Sequence, residues 1–132
     1  MINYPDAYLD LLSNEKRAFA YLATLMADGG PQVTPVWFNT EGDYILVNSS
    51  AGRVKDRNMR RRPRVALVIT DPQNPYRYAL VRGRVVEVTE EGARAHIDAL
   101  AKKYKGQDKF SGPPDQVRVI YKILPERVHA QG

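Results

Sequence analysis

The chain contains no cysteine. That excludes a disulfide framework, a thiolate metal site and any cysteine nucleophile, and it fits a reducing cytoplasm, the expected location. Histidine is almost as scarce. The two present, His96 and His129, are too far apart in sequence for ligand spacing, and each reads as an ordinary surface or partly buried residue. No G-x-S-x-G occurs, and the adjacent Glu90 and Glu91 open a helix, where acids complement the dipole rather than form a catalytic pair. No apolar run approaches the roughly 20 residues needed to cross a bilayer, so no membrane partner is expected. The opening "MINYPDAYLD" lacks the basic and apolar regions of a signal peptide. Low-complexity tracts and internal repeats are missing too. No side chain stands out as a catalytic residue or a metal ligand, so any enzymatic chemistry here is expected to belong to a bound cofactor.

What remains is an ordinary globular composition, 43% hydrophobic and 27% charged over 132 residues, the size of one domain spanning 1–132. Pro5 and Asp6 introduce a short helix in "PDAYLDLLS". "RAFAYLATLM", "PQVTPVWFN" and "YILVN" read as three strands joined by the turns "ADGG" and Glu41-Gly42-Asp43. "RVALVIT", "YRYALVRGRVVEVTE" and "QVRVIYKIL" supply three more, with Gly83 marking a bulge or tight bend in the second of these. A helix with Thr89 as its cap carries Ala93, Ile97, Leu100 and Tyr104 at helical spacing. The sum is a mainly β protein: a six-stranded antiparallel β-barrel with flanking helices.

One segment departs from this ordinary pattern. Between Arg53 and Arg64 stand seven Arg or Lys and one Asp, a local charge of +6, whereas the whole chain is +5. Everything else therefore sums to about −1, and the basic character is local. Ser49, Ser50 and Gly52 are helix-start residues, and "RVKDRNMRRR" has no breaker before Pro63. Its only apolar residues are Val54 and Met59, so this helix is expected to bury little surface. Arg53 and Lys55 lie in its first turn, where the dipole disfavours cations unless an anion offsets them. Free N–H groups, early cations and a position at a strand end together point to a phosphate site at a barrel mouth. Nucleic acid is the rival anion. The aromatics of the strand candidates, Phe19, Tyr21, Trp37, Phe38, Tyr44, Tyr76, Tyr78 and Tyr121, are scattered over several strands rather than grouped as a stacking pair. The residues alone leave a single-stranded nucleic-acid-binding barrel open.

The ordered set "LATLMADGGPQVTPVWF", "SSAGRVKDRNMRRRPRVAL" and "YRYALVRGRVVEV" resembles the pyridoxamine 5′-phosphate oxidase-like split-barrel superfamily, and within it the F420-dependent (deazaflavin) reductase branch. The likeness covers Ala18 to Val88, with a weaker match over Val117 to Leu124. It implies a six-stranded split β-barrel of the FMN-binding type, working as a homodimer with cofactor at the subunit interface. It also implies phosphate binding by Asn48, Ser49, Ser50, Arg53 and Lys55, with Asn58 close behind. The ring system is expected against Pro35, Val36 and Trp37, with Tyr76 and Tyr78 approaching from the second subunit. The implied activity is hydride transfer from reduced F420 to an unsaturated or conjugated small molecule such as a quinone, an enone or a biliverdin-like tetrapyrrole. An FMN-dependent oxidoreductase would share the fold and the phosphate site. Arg57, Arg60, Arg61 and Arg62 exceed what one phosphate needs, and the polyanionic tail of F420 would use the surplus. No segment resembles the C-terminal substrate-binding stretch of the vitamin-B6 oxidase itself.

Overall fold

The computed structural model describes residues 3–132. A 3-10 helix, Asp6–Leu12, leads into β1 (Phe19–Leu25), β2 (Pro31–Val36), β3 (Phe38–Glu41) and β4 (Tyr44–Ser50). Helix α1 (Val54–Arg61) precedes β5 (Arg64–Asp71) and the long β6 (Asn74–Thr89). Helix α2 (Ala93–Lys105) and β7 (Arg118–Gln131) complete the order. No described helix is long and apolar enough to cross a membrane.

All strand pairs are antiparallel, and the sheet runs β2-β1-β5-β6-β7-β4-β3. Among the described residues there are seven strands rather than the six expected, because the run through "PQVTPVWFN" breaks at Trp37. Val36 and Phe38 are both buried, at 6% and 0% exposure, the alternation that one continuous strand would show. Here Trp37 is neither in the core nor in a strand: the chain turns through it. β2 pairs with β1 at one edge of the sheet and β3 pairs with β4 at the other. One residue therefore links the two sheet edges, so the sheet must curl until they meet.

Strand alternation fills the interior. In β1, Ala20, Leu22 and Thr24 point inward while Phe19 and Tyr21 face out. β4, β5, β6 and β7 add Ile45, Val47, Leu67, Ile69, Val81, Tyr121 and Ile123, and Leu11 of the 3-10 helix closes one end. Arg77 bonds Asp71 at 2.9 Å, Asp10 and the Ala7 carbonyl, which ties that helix to the sheet. Gly83 falls at a register shift between β6 and β7; a Cβ there would lie 2.3 Å from the Leu124 carbonyl oxygen. β7 continues past Pro125 to Gln131, seven residues beyond the expected end at Leu124.

Both long helices begin differently from expectation. Thr89 ends β6, and Gly92, at φ +75°, precedes Ala93 at the start of α2. Ser49 and Ser50 belong to β4 rather than to a helix start, and Arg53 is the residue before α1. Nor is α1 a superficial helix, for it buries Asp56, Asn58 and Met59. Its inward face is largely polar and is satisfied by hydrogen bonds rather than by apolar contact.

Candidate functional site

A pocket of about 280 Å³ opens at the Trp37 corner. Pro35, Val36 and Trp37 form one side, and Asn48 and Ser49 at the end of β4 lie across from them. Arg53, Lys55 and Arg118 supply positive charge, while Phe19, Ile97 and Phe110 are apolar.

The corner is packed against α2. Tyr104 stacks on both Phe19 and Trp37, with ring centroids 5.2 and 5.3 Å away, and Phe110 meets Trp37 edge-on at 6.1 Å. The Tyr104 hydroxyl donates to the Ala18 carbonyl at 2.7 Å and accepts from the Phe38 amide at 3.3 Å. Lys103 Nζ donates to the Phe38 carbonyl at 2.7 Å, and burial pulls this amine down to about 8. Backbone groups released by the break between β2 and β3 thus find partners on α2.

The cations show the opposite economy. Lys55 Nζ donates to Thr34 Oγ1 at 3.0 Å. Its pKa is held below the usual lysine value by burial first, then by the charges of Arg53 and Arg118. Burial, Arg53 and Arg94 likewise disfavour the charge on Arg118. Among the described residues, none of Arg53, Lys55 and Arg118 has a carboxylate within ion-pair distance. The nearest acid in sequence, Asp56, is engaged elsewhere. It accepts from the Gly52 amide at 2.9 Å, from Arg60 Nε at 2.9 Å and from the Tyr121 hydroxyl. Burial alone would raise the Asp56 carboxyl, but these donors outweigh it and hold the group below its ordinary range. Three cations around one cavity, of which Lys55 and Arg118 are partly desolvated and each repelled by the exposed Arg53, could hold an anion.

Seven of the expected site residues meet at this pocket: Pro35, Val36, Trp37, Asn48, Ser49, Arg53 and Lys55. Four lie elsewhere in the chain. Ser50 is buried in β4 opposite Arg118, outside the lining. Asn58 is buried as well; its Nδ2 donates to Thr24 Oγ1 at 3.0 Å and to Met26 Sδ at 3.3 Å, which fastens α1 to β1. Tyr76 is 82% exposed, and the Tyr78 hydroxyl donates to Gln131 Oε1 at 3.2 Å. The Gly52 amide, expected free for an anion, is taken by Asp56. The surplus arginines are also largely engaged: Arg57 on the Gly52 carbonyl, Arg60 on Asp56, and Arg62 on the Leu25 carbonyl at 2.7 Å.

Sequence reading missed Arg118, Phe110, Phe19 and Ile97 as pocket residues. The available signals were a lone arginine opening an apolar strand and an aromatic residue in the turn-rich "KFSGPP". Gly112 is part of that second signal, since a Cβ there would lie 2.2 Å from the Phe110 ring.

A curled antiparallel sheet whose edges are joined at a cation-lined, aromatic-walled corner defines a split-barrel protein. The pyridoxamine 5′-phosphate oxidase family profile matches residues 5–132, and the chain belongs to that family. An F420 reductase of solved structure is 34% identical, with 96% of this chain and 98% of that one covered and a TM-score of 0.83. A conserved hypothetical protein from Mycobacterium tuberculosis is 23% identical over 98% of this chain and 86% of its own, with a TM-score of 0.75. An FAD-binding protein from Mesorhizobium loti is 22% identical over 95% and 92%, with a TM-score of 0.67. No curated protein matches the sequence.

Proposed function

We propose that the chain is a single split-barrel cofactor-binding domain over 1–132 that acts as a flavin-type oxidoreductase, with F420 as the cofactor. The observation that carries this is the trio Arg53, Lys55 and Arg118, which face one cavity without a protein carboxylate beside an aromatic corner. A phosphate fits that donor set, and a planar ring system fits the surface of Pro35, Val36 and Trp37. When bound, reduced F420 supplies a hydride for an unsaturated or conjugated acceptor such as a quinone, an enone or a biliverdin-like compound. The side chains contribute placement and exclusion of water; none of them is assigned as a proton-transferring base. Likeness to the F420 reductase favours the deazaflavin. The engagement of Arg57, Arg60 and Arg62 inside the protein favours FMN as the second reading, because it leaves a cradle suited to one phosphate. A single nucleic-acid strand is poorly served, since the pocket aromatics Phe19 and Trp37 are already stacked on Tyr104.

A homodimer completes this reading. Phe19, Tyr21 and Val33 are exposed at 42%, 43% and 59%, and Tyr21 lies opposite Pro35 and Val68, which in turn lies opposite Leu80. These residues make an apolar sheet face that Phe19 shares with the pocket. Phe19, Thr70 and Tyr78 follow one another in cross-strand register, so Tyr78 stands on the same face. A two-fold contact through it would bring the Tyr78 of one copy toward the Phe19 rim of the other, with Tyr76 nearby.

Anaerobic mixing with F420H2 or FMNH2 and a panel of quinones, enones and biliverdin tests the activity. Protein-dependent oxidation of F420H2 is expected. Oxidation of FMNH2 alone would move the assignment to FMN, and oxidation of neither would refute the oxidoreductase reading.

A further inference from the structure

Behind the pocket wall, side chains from β7, β4, α2 and β3 form one continuous run of hydrogen bonds. Arg118 Nε donates to Asn48 Oδ1 at 2.9 Å. Asn48 Nδ2 has two hydrogens, and they go to the Ala93 carbonyl at 2.9 Å and to His96 Nδ1 at 3.0 Å. That arrangement fixes the amide, with its oxygen toward Arg118, and requires an unprotonated Nδ1 on His96. The ring proton then sits on Nε2, which donates to Asn39 Oδ1 at 2.9 Å. Each donor in the run meets an acceptor, and none is doubled.

Arg118 itself is only 8% exposed, and its guanidinium lies 4.9 Å from the Phe110 ring centroid. Nη1 donates to Gln116 Oε1 at 3.0 Å, while Nη2 has no hydrogen-bond partner among the described residues. No buried side-chain nitrogen or oxygen is left unpaired among those residues, so Nη2 is accessible, and Arg118 is one of the residues that line the pocket. A nearly buried guanidinium with no carboxylate beside it is a costly arrangement unless a ligand brings the negative charge.

We propose that Asn48 and His96 are positioning residues that aim the Arg118 guanidinium at an anionic group of the pocket's ligand, with Asn39 fixing the His96 tautomer that permits it. This rests on the pocket being an anion site, as proposed above. It gives Asn48 a role different from direct contact with a cofactor, since both ends of its amide are engaged within the protein. It also gives His96 a part in the site although it lines none of the pocket.

The test is a double-mutant cycle on the full chain, read as the dissociation constants of F420 and FMN. His96→Phe removes both ring nitrogens at similar volume and should weaken binding by about tenfold, the range for a contact that orients a charged donor. Arg118→Met should weaken it at least as much, and the double variant should bind no more weakly than Arg118→Met alone. His96→Gln, which keeps one acceptor and one donor, should recover most of the loss. An equal loss from His96→Phe in both backgrounds, or no loss at all, overturns the proposal. Asn39→Ala serves the same comparison should His96→Phe not fold. A ligand-free readout separates this from the cofactor assignment. If wild type binds neither F420 nor FMN, the proposed function fails, while the Arg118 Nε–H resonance still reports the relay. That resonance should be protected from exchange in wild type and lose protection in His96→Phe; unchanged protection overturns the relay.

Discussion

Lys55→Met separates binding from stability at the pocket. The substitution keeps an unbranched stem of similar length and removes the charge. In the ligand-free protein it deletes one hydrogen bond, to Thr34 Oγ1 at 3.0 Å. That loss is about 1 kcal/mol or less, because the threonine hydroxyl is half-buried and can turn to water. Against it stand the effects that hold the ammonium below its usual pKa: burial, then repulsion from Arg53 and Arg118. Each like-charge contact in a partly screened setting is worth about 0.2–1 kcal/mol, and desolvation acts in the same direction. The ligand-free variant should therefore be at least as stable as wild type, by up to about 1 kcal/mol, or roughly 4 °C in Tm. Cofactor affinity should move the other way, by about 1.5–3 kcal/mol, the range for a hydrogen bond to a charged group. Thermal unfolding without ligand and a binding titration measure the two quantities on one preparation. A variant that melts well below wild type yet binds as tightly would refute the reasoning, making Lys55 a structural residue.

His96 makes stability sensitive to mild acid. Burial lowers its pKa from 6.5 to about 4. Between those values the unfolded chain takes up a proton that the folded one refuses, so stability is lost as the pH falls through that window and is intact above it. The loss should reach about 2 kcal/mol, less than the full linkage value because the ring is partly exposed, and urea midpoints in wild type and His96→Gln should diverge there. The depressed carboxyls of Asp56 and Asp71 act only at lower pH. Gly83→Ala should cost about 2–3 kcal/mol in denaturant unfolding, since its Cβ meets the Leu124 carbonyl oxygen, a backbone atom that cannot swing away. Tyr21→Asp should give a monomer in sedimentation with unchanged far-UV circular dichroism and weakened cofactor binding; a variant that remains dimeric would remove the β1 face from the interface.

Much of the barrel was legible because its strands alternate and its turns are marked by Asp28-Gly29-Gly30 and Gly42. The break at Trp37 was not. Val36 and Phe38 look like neighbours in one strand, and only the pairing of β2 and β3 with opposite sheet edges bends the chain between them. β7 was read short for a similar reason: Pro125 looks like a stop, but it lies beside the Gly83 bulge, where the ladder shifts register and goes on. Local charge located Arg53 and Lys55, whereas Arg118 reaches the pocket by pairing opposite Ser50, 68 positions earlier in the chain. The polar face of α1 was invisible for the same reason. Asp56 and Asn58 are buried by partners on β7 and β1, Tyr121 and Thr24, that no local pattern reveals.

The most direct test of the central claim is a titration of cofactor-free protein with F420 and with FMN, followed through Trp37, the chain's single tryptophan and a wall of the pocket. Saturable quenching by F420 at micromolar or tighter affinity, with FMN about tenfold or more weaker, is the predicted result. Binding of neither compound at the Trp37 corner would contradict the account and leave Arg53, Lys55 and Arg118 in want of a different anion.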